Sequence, residues 1–443
     1  FLYLKLPQCR SKEAEYYMKQ LNETIRPRAL LAGVRLNENQ DFEVSMKELN
    51  NLVKACDMEP VARIDQNLAS INAAYYIGSG KVGEIREAAE TLRADYVVFN
   101  DTLSPSQLKN LQREIDVPVW DRTYLILEIF SRRAQTKEAR MQVESARLQY
   151  MLPRLMGLRD SLGRQGGASG SLSNKGSGEK QIELDRRKIE GRISELRREL
   201  ERMEQERNVQ RRKRSRGTCP QAALVGYTNA GKSTLLNKLV ELSNGKEEKM
   251  VMAKDMLFAT LDTTVRKISP NGSQDFLLSD TVGFISRLPH SLVKAFRSTL
   301  EEIRYADLLL HVVDFSDEHY KEQMEVTEET LKELGAGDIP RIYIMNKADS
   351  VMERETLPKI SGNRIYMSAK YGIGIPELLR MMEQILFSEY QEARFLIPYE
   401  NGNVVHYFNS RAMVHSQEYQ EQGVCLTVSC REGDREKYKQ YLT

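Results

Sequence analysis

Along the first 120 or so residues, the hydrophobic and polar positions form strand-like runs that alternate with segments of helical spacing. Short apolar runs predict strands, at 28–34, 60–64, 95–100 and 117–120. The segments between them carry apolar residues at helical spacing, and Pro105 suits the first position of a helix over 104–115. Because strands that alternate with helices are typical of a mainly parallel sheet, we predict an N-terminal α/β domain over residues 1–121.

From Arg122 the pattern becomes wholly helical. It predicts one helix from Arg122 to about residue 152, ended or kinked by Pro153, and a second helix from about 179 to 212. The second helix has heptad-like apolar positions, at Ile182, Ile189, Ile193, Leu196, Leu200 and Met203. The Gly- and Ser-rich segment 163–178 predicts a flexible loop between the helices. We therefore predict an antiparallel helical hairpin over 122–216; the alternative is two independent helices with a disordered linker.

A second α/β pattern follows the hairpin and predicts a domain over 217–388. Its strand-like runs lie at 222–226, 276–280, 307–316, 341–346 and 364–369. The last segment, 389–443, holds strand-like runs at 395–398 and 424–430 and two short helical patterns, which predict a small α+β domain. No run of about 18 apolar residues occurs in the 443 residues, so the sequence predicts no membrane span.

Charge is distributed unevenly along the chain. The net charge is only +2, from 65 basic and 63 acidic residues, but 122–216 holds 24 basic and 13 acidic residues and carries +11. A polyanionic partner and a solvated, ion-paired helical face explain this excess equally well. The five cysteines are scattered, with no CxxC pair, which favours a reducing, cytoplasmic location.

A glycine-rich motif, GxxxxGK[ST], lies between the strand-like run 222–226 and a helical run. Its residues are Gly226, Tyr227, Thr228, Asn229, Ala230, Gly231, Lys232 and Ser233. In such a P-loop the backbone amides surround phosphates, the lysine reaches the β- and γ-phosphates and the hydroxyl binds Mg²⁺. We therefore predict that Lys232 stabilises the transferred phosphoryl group and that Ser233 is a metal ligand.

A DxxG motif ends the strand-like run 276–280. It consists of Asp280, Thr281, Val282 and Gly283. We predict that Asp280 holds Mg²⁺ through water and that the amide of Gly283 contacts the γ-phosphate.

Two further motifs end later strands in the order that a guanine-nucleotide site requires. They are Asn346, Lys347, Ala348 and Asp349, and then Ser368, Ala369 and Lys370. The carboxylate of Asp349 can accept hydrogen bonds from N1–H and N2–H of guanine, which adenine does not offer. The backbone at Ser368–Lys370 can contact guanine O6. Because ligands bind at the carboxyl ends of parallel strands, we predict that the four motifs form one GTP site.

The segment between the P-loop and DxxG predicts a switch loop. It holds Phe258, Ala259, Thr260, Leu261 and Asp262. On chemistry alone Thr260, Thr263 and Thr264 are all candidate Mg²⁺ ligands. Phe284 stands where many GTPases place a water-orienting glutamine, so we expect slow hydrolysis unless another residue or a partner completes the site.

These motifs resemble those of the HflX family, ribosome-associated translational GTPases. The resembling segments include IGSGKVGE (77–84), WDRTYLILEIFSRRA (120–134), GSGEKQIELDRR (176–187) and DTVGFI (280–285). The resemblance implies an N-terminal α/β domain, a helical hairpin, a P-loop GTPase domain and a short C-terminal domain. It also implies binding to the large ribosomal subunit and its RNA, and splitting of stalled or idle ribosomes.

By the same resemblance Thr260 becomes the preferred switch ligand of Mg²⁺, and Lys232, Thr260 and Gly283 form the catalytic set. Two segments depart from the family pattern: GSGE at 176–179 replaces GPGE, and TLDTTV at 260–265 replaces TLDPTT. These departures are compatible with a divergent subgroup, such as an antibiotic-resistance paralogue.

We therefore expect a monomeric, cytoplasmic, Mg²⁺-dependent GTPase that uses GTP and GDP, with partial membrane association as a secondary expectation. One rival is a stand-alone metabolic or RNA-modifying NTPase, and another is a membrane-associated GTPase that regulates a channel or protease. The N-terminal segment shows no catalytic Cys/His/carboxylate cluster, and no amphipathic membrane helix is evident. The five histidines show no metal-ligand spacing.

Overall fold

The computed structural model describes residues 26–36, 41–164, 175–215, 219–241, 258, 264–270, 274–281, 283–286, 302–388 and 390–443. The chain forms two compact units. One comprises Phe1–Arg132 and Tyr150–Arg186, and the other Arg133–Gln149 and Arg187–Thr443.

An all-parallel sheet organises the first unit. Its strands are β1 (Arg28–Leu36), β2 (Glu59–Leu68), β3 (Tyr96–Phe99) and β4 (Val119–Asp121), in the order β2-β1-β3-β4. The helices between them are α1 (Phe42–Ala55), α2 (Ser79–Thr91) and α3 (Pro105–Glu114). The predicted parallel α/β fold is confirmed.

The start of α3 shows how local sequence fixes an element. Pro105 occupies the first turn, as predicted. Ser104 Oγ accepts the Gln107 amide at 3.2 Å, and Gln107 Oε1 accepts the Ser104 amide at 3.0 Å. This reciprocal capping box satisfies two amides that a helix start otherwise leaves without partners.

The helical region differs from its predicted boundaries. The structure has α4 (Arg122–Arg133), α5 (Lys137–Arg164) and α6 (Lys175–Ser215). A new helix starts at Lys137 because Thr136 Oγ1 accepts the Ala139 amide at 3.1 Å and so caps it. Of the two alternatives at Pro153, a helix end is wrong, since α5 runs through that residue, and a kink stays a prediction; one proline removes only one helical hydrogen bond.

The two long helices run antiparallel where the structure describes both. Glu144 on α5 pairs with Arg192 on α6 at 2.8 Å, and Lys137 pairs with Glu199 at 3.5 Å. Ile193 and Leu196, two of the heptad-like positions, are buried. The predicted loop 163–178 overlaps both helix ends, and residues 165–174 lie outside the described residues.

A seven-stranded sheet forms the centre of the second unit. Its strands are β5 (Gln221–Val225), β6 (Thr264–Ile268), β7 (Phe276–Asp280), β8 (Leu308–Asp314), β9 (Arg341–Asn346), β10 (Lys359–Ser361) and β11 (Arg364–Tyr366). The order is β10-β11-β9-β8-β5-β7-β6, parallel except for the outer strands β10 and β6. The main helices beside it are α7 (Lys232–Glu241), α8 (Tyr320–Glu333) and α9 (Ile375–Leu386). Buried apolar clusters cover both faces, as a parallel sheet requires.

The C-terminal segment forms a three-stranded antiparallel sheet with one face against a helix. It comprises β12 (Tyr390–Ile397), α10 (Gly402–Arg411), β13 (Met413–Gln420), β14 (Gly423–Arg431) and α11 (Glu432–Lys437). Phe395 stacks on Phe408 at 4.5 Å between ring centroids, which anchors α10 to the sheet. The predicted domain boundaries remain predictions. Within the described ranges, no helix is both long and apolar enough to cross a membrane.

Candidate functional site

The carboxyl ends of neighbouring parallel strands bring the four sequence motifs to one edge of the seven-stranded sheet. The P-loop follows β5 directly, and Asp280 is the last residue of β7. Asn346 is the last residue of β9, and Ser368 follows β11 by two residues. This edge is where an open α/β sheet binds its ligand.

The P-loop adopts a backbone that requires its glycines. Gly226, Asn229 and Gly231 all have positive φ angles, of 140°, 62° and 97°. A Cβ atom on Gly226 would lie 2.1 Å from the carbonyl oxygen of Val312, and one on Gly231 would lie 2.2 Å from Asn346 Nδ2. Both glycines therefore allow a close approach that no other residue permits.

Lys232 lies inside the loop and is only 7% exposed. Its Nζ donates to the carbonyl oxygens of Gly226 at 2.9 Å and Tyr227 at 2.7 Å. Burial lowers the pKa of Lys232 to about 8, against an opposing contribution from the Asp280 carboxylate. An ammonium has three donors, and in the described part of the chain only two have acceptors, so one remains for a phosphate oxygen.

Asp280 is fully buried beside this lysine, at the end of β7. The neighbouring hydroxyls tie β7 to β5: Thr281 Oγ1 donates to the Leu224 carbonyl at 2.6 Å, and Ser279 Oγ donates to the Ala222 carbonyl at 3.3 Å. The side chain of Thr281, a predicted nucleotide contact, is thus used within the fold. A buried carboxylate next to a lysine can hold a hard cation such as Mg²⁺.

Asn346 joins three of the motifs through one amide group. Its Nδ2 donates to the Ala230 carbonyl at 2.8 Å, and its Oδ1 accepts the Ala369 amide at 2.9 Å. The side chain is buried, so both bonds are shielded from water. The phosphate loop and the segment predicted to contact guanine O6 are therefore held at a fixed separation.

Lys347 and Asp349 are the residues predicted to face the guanine base. Lys347 has a left-handed backbone, with φ 59°, and its Nζ lies 2.6 Å from the Asp314 carboxylate. Ala348 is buried, and its amide donates to the Met367 carbonyl at 3.2 Å. The half-buried carboxylate of Asp349 accepts no hydrogen bond from the described residues, as a guanine receptor requires.

Ser368 and Ala369 are buried, whereas Lys370 is exposed. The hydroxyls of Ser368 and of Thr228 in the P-loop are both buried, with no hydrogen-bond partner in the described part of the chain. Buried hydroxyls of this kind normally have partners, so these two are polar groups that a ligand can satisfy.

Phe284 points away from the nucleotide edge. It is 3% exposed and packs in a core cluster with Val225, Ile303 and Leu331. Gly283, just before it, lies against Thr228 in the P-loop. A buried phenylalanine offers no hydrogen bond to an attacking water.

The structure describes only part of the predicted switch region. Ala259, Thr260, Leu261, Asp262 and Val282 lie outside the described residues, as does Thr263. Phe258 is buried in a left-handed turn, and Thr264 opens β6 opposite Asp280. Among the described residues, no group of three or more His, Cys, Asp or Glu side chains is arranged to hold a metal ion.

Sequence reasoning missed two contributors to the site. Asp314 ends β8 and fixes the ammonium of Lys347, and the Tyr227 side chain, predicted only as part of the P-loop, bonds to Ser286. The sequence offered one signal for Asp314, since this carboxylate lies near the end of a predicted strand, as the motif residues do. No sequence pattern indicated the direction of the Tyr227 side chain.

Three features define the site as that of a P-loop GTPase. They are a P-loop with a buried lysine, a carboxylate at the end of the adjacent strand and a carboxylate that is open for guanine. Family models match the chain in three parts: "GTP-binding GTPase N-terminal" at 43–131, "GTP-binding GTPase Middle Region" at 133–214 and "50S ribosome-binding GTPase" at 221–347. The chain belongs to the HflX family of GTPases, whose relatives match it over almost its full length. As a P-loop GTPase it converts GTP to GDP, with Mg²⁺ as the ion that this class uses.

Three HflX GTPases illustrate the match. The protein of Akkermansia muciniphila is 45% identical, over 90% of this chain and 93% of its own. The protein of Caldanaerobacter subterraneus is 41% identical over 94% of both chains, and that of Escherichia coli is 38% identical over 89% and 91%. A solved GTP-binding protein from Sulfolobus solfataricus in complex with GDP is 24% identical, over 82% of this chain and 99% of that one, with a TM-score of 0.44.

Proposed function

We propose that this GTPase docks on the large ribosomal subunit in its GTP-bound form and splits or rescues stalled or idle ribosomes. The observation that carries the proposal is the match of residues 221–347 to a family model described as a 50S ribosome-binding GTPase, within a chain of the HflX family. Because its proposed partner is the ribosome, we propose that it acts in the cytoplasm. Neither the relatives nor the described residues favour an antibiotic-resistance role, and we do not propose one.

The basic surface of α6 supports an RNA partner. Residues 122–216 carry a net charge of +11. Arg197, Arg198 and Arg202 are exposed and make no ion pair with any described residue. A solvated, ion-paired face would use these side chains internally, whereas unpaired guanidinium groups suit the phosphates of ribosomal RNA.

The motif residues would divide the hydrolysis of GTP among themselves. Lys232 would donate its third N–H to the β- and γ-phosphate oxygens, which neutralises charge that develops in the transition state. Gly283 would donate its amide to the γ-phosphate. Ser233 and Thr260, with Asp280 through water, would hold Mg²⁺, which would supply positive charge against the phosphates, and Asp349 would select guanine.

Hydrolysis by the free protein should be slow because Phe284 lies in the core and offers no group to orient water. We infer that the large subunit completes the site and accelerates the reaction. Loss of the γ-phosphate would then release the switch segments and lower the affinity for the subunit.

Sedimentation with large ribosomal subunits tests the proposal. The protein should co-sediment with a non-hydrolysable GTP analogue and much less with GDP, and binding should weaken steeply with salt because displaced counterions drive it. The triple variant Arg197→Glu, Arg198→Glu, Arg202→Glu should lose binding and retain GTP affinity. The matched control carries the same charge change on exposed lysines of the GTPase domain, as Lys321→Glu, Lys332→Glu, Lys359→Glu, and should bind more strongly than the arginine variant.

Equal sedimentation with GTP analogue and GDP would contradict a GTP-controlled factor. No sedimentation in either state, with intact GTP hydrolysis, would favour the stand-alone NTPase. Equal losses in both triple variants would show that the effect reflects net charge rather than the hairpin surface.

A further inference from the structure

Three hydrogen bonds join the P-loop to the segment that follows DxxG. The Phe284 amide donates to the Gly226 carbonyl at 3.1 Å, and the Thr228 amide donates to the Phe284 carbonyl at 2.8 Å. The third bond runs from the Ser286 amide to the Tyr227 hydroxyl, at 2.7 Å. We call this set of three bonds the clasp.

The third bond depends on the side chain at one position. The two backbone bonds of the clasp can form with any residue at 227, but the third needs a hydroxyl at the far end of a long side chain. Tyr227 supplies it, and a phenylalanine would keep the ring and remove only the oxygen. The clasp therefore has one element that a single-atom substitution can test.

The other side of the same segment is anchored in the core. Phe284 packs with Val225 and Leu331 and is almost fully buried. The segment 283–286 is thus held between the P-loop and the hydrophobic core. Its position follows from contacts within the protein.

The clasp places Gly283 beside the lysine that serves the terminal phosphates. A Cβ atom on Gly283 would lie 2.9 Å from Thr228 Cα and 3.0 Å from Lys232 Nζ. Only glycine permits so close an approach to both groups. The amide proposed to contact the γ-phosphate is therefore held next to the ammonium proposed to contact the same group.

We propose that Tyr227 is a positioning residue that favours GTP over GDP by holding Gly283 in place before the nucleotide binds. The inference rests on the proposed role of Gly283 at the γ-phosphate. A segment that is already ordered loses little entropy when GTP binds, whereas a loosened segment must be ordered at that moment. GDP has no γ-phosphate for Gly283 to contact, so its affinity should not depend on the hydroxyl.

Tyr227→Phe in the full chain tests this. The affinity for a non-hydrolysable GTP analogue should fall about three- to tenfold, the range expected for one lost hydrogen bond, while GDP affinity stays within about twofold. The single-turnover hydrolysis rate should fall as well. Amide hydrogen exchange should become faster at Ser286, which reads the lost bond directly.

Tyr343→Phe is the matched control. The Tyr343 hydroxyl lies on β9 and donates to Glu328 at 3.0 Å, so this variant loses one tyrosine hydroxyl bond in the same domain. It should leave the ratio of GTP to GDP affinity unchanged. Thermal unfolding of both variants separates a loss of stability from a change in that ratio.

Three results would overturn the proposal. Equal weakening of both nucleotides would show that the hydroxyl supports the P-loop itself, and tighter GTP binding would show that the clasp opposes GTP. If amide hydrogen exchange at Ser286 became faster while both nucleotide affinities stayed unchanged, the Tyr227 hydroxyl bond would not position Gly283 for GTP. If the unaltered protein bound no GTP analogue, the GTP site itself would be wrong, which is a separate outcome.

Discussion

The N-terminal sheet is parallel and the GTPase sheet is mainly parallel, but the polar groups at their carboxyl edges have different partners. In the N-terminal sheet, Asn100 donates to Ser45 Oγ at 2.8 Å and accepts from Arg122 at 3.2 Å. The buried carboxylate of Asp121 accepts the Leu103 amide at 3.1 Å. These edge groups are satisfied by the protein itself.

The GTPase edge leaves polar groups open. Lys232 has one donor without an acceptor among the described residues, and Asp349 accepts no hydrogen bond from them. The buried hydroxyls of Thr228 and Ser368 also lack partners there. A parallel sheet edge therefore becomes a ligand site where the fold leaves polar groups unsatisfied.

The largest effects should follow from one substitution at the carboxyl edge of each sheet. Lys232→Ala should weaken GTP and GDP binding by about 10²- to 10³-fold, since it removes the phosphate-facing ammonium, and should cost little folding stability. Asp121→Ala should destabilise the protein by about 3 kcal/mol, because it leaves the partly buried Arg154 without its carboxylate partner and the amides of Leu103 and Tyr124 without an acceptor, and it should leave nucleotide affinity unchanged. Nucleotide titration and urea unfolding on both variants measure the two quantities. The comparison fails if Asp121→Ala weakens nucleotide binding as much as Lys232→Ala does.

A smaller effect should follow from a substitution that changes the nucleotide preference of the GTPase edge. Asp349→Asn supplies a donor where guanine needs an acceptor, so GTP affinity should fall about 10- to 100-fold and xanthosine triphosphate should bind better than GTP. Asp317→Asn is the control, because the Asp317 carboxylate already accepts the His319 amide at 2.9 Å within the fold. Competition of both triphosphates against a fluorescent nucleotide measures the preference. An unchanged GTP affinity in Asp349→Asn would remove the guanine assignment.

The smallest effect should appear in the pH dependence of binding. The pKa of Lys232 is about 8, and a bound phosphate favours its protonated form. GDP affinity should therefore be nearly constant below pH 8 and fall above it, with proton uptake on binding. Calorimetry in buffers of different ionisation enthalpy measures that uptake, and its absence at pH 9 would contradict a titrating Lys232.

The same pKa also fixes the sign of the effect on stability. Because the folded pKa is lowered from 10.5, the unfolded chain binds more protons between about pH 8 and 10.5, so this residue makes the unliganded protein more stable as pH rises through that window. Nucleotide binding and folding stability should thus respond to pH in opposite directions. Urea unfolding without nucleotide across this window measures the second response.

Much of the fold was predictable because its strong signals are local. The apolar runs at β5, β7 and β9 and the motifs at their ends follow from residues adjacent in sequence. The strands β6 and β13 were missed because both are edge strands, and β13 is mostly polar and exposed. Edge strands need only one bonded neighbour, so their hydrophobic pattern is weak.

The rest depends on contacts between distant segments. Asp314 and Lys347 are 33 residues apart, and Tyr227 and Ser286 are 59 apart. A periodicity shows which face of a strand is buried, but it cannot show which loop a tyrosine reaches. The break before Lys137 was missed for a different reason. The helical pattern continues through it, but Thr136 caps a new helix there.

The amide of Asn346 has a consequence for how the protein is made. It bonds to Ala230, 116 residues earlier, and to Ala369, 23 residues later. During synthesis the chain emerges from its N-terminus, so the bond to Ala230 cannot form until residue 346 has left the ribosome, and the bond to Ala369 cannot form until residue 369 has left it. A nascent chain therefore has a phosphate loop long before it has a nucleotide site, and the GTP switch is assembled only when most of the protein has been translated.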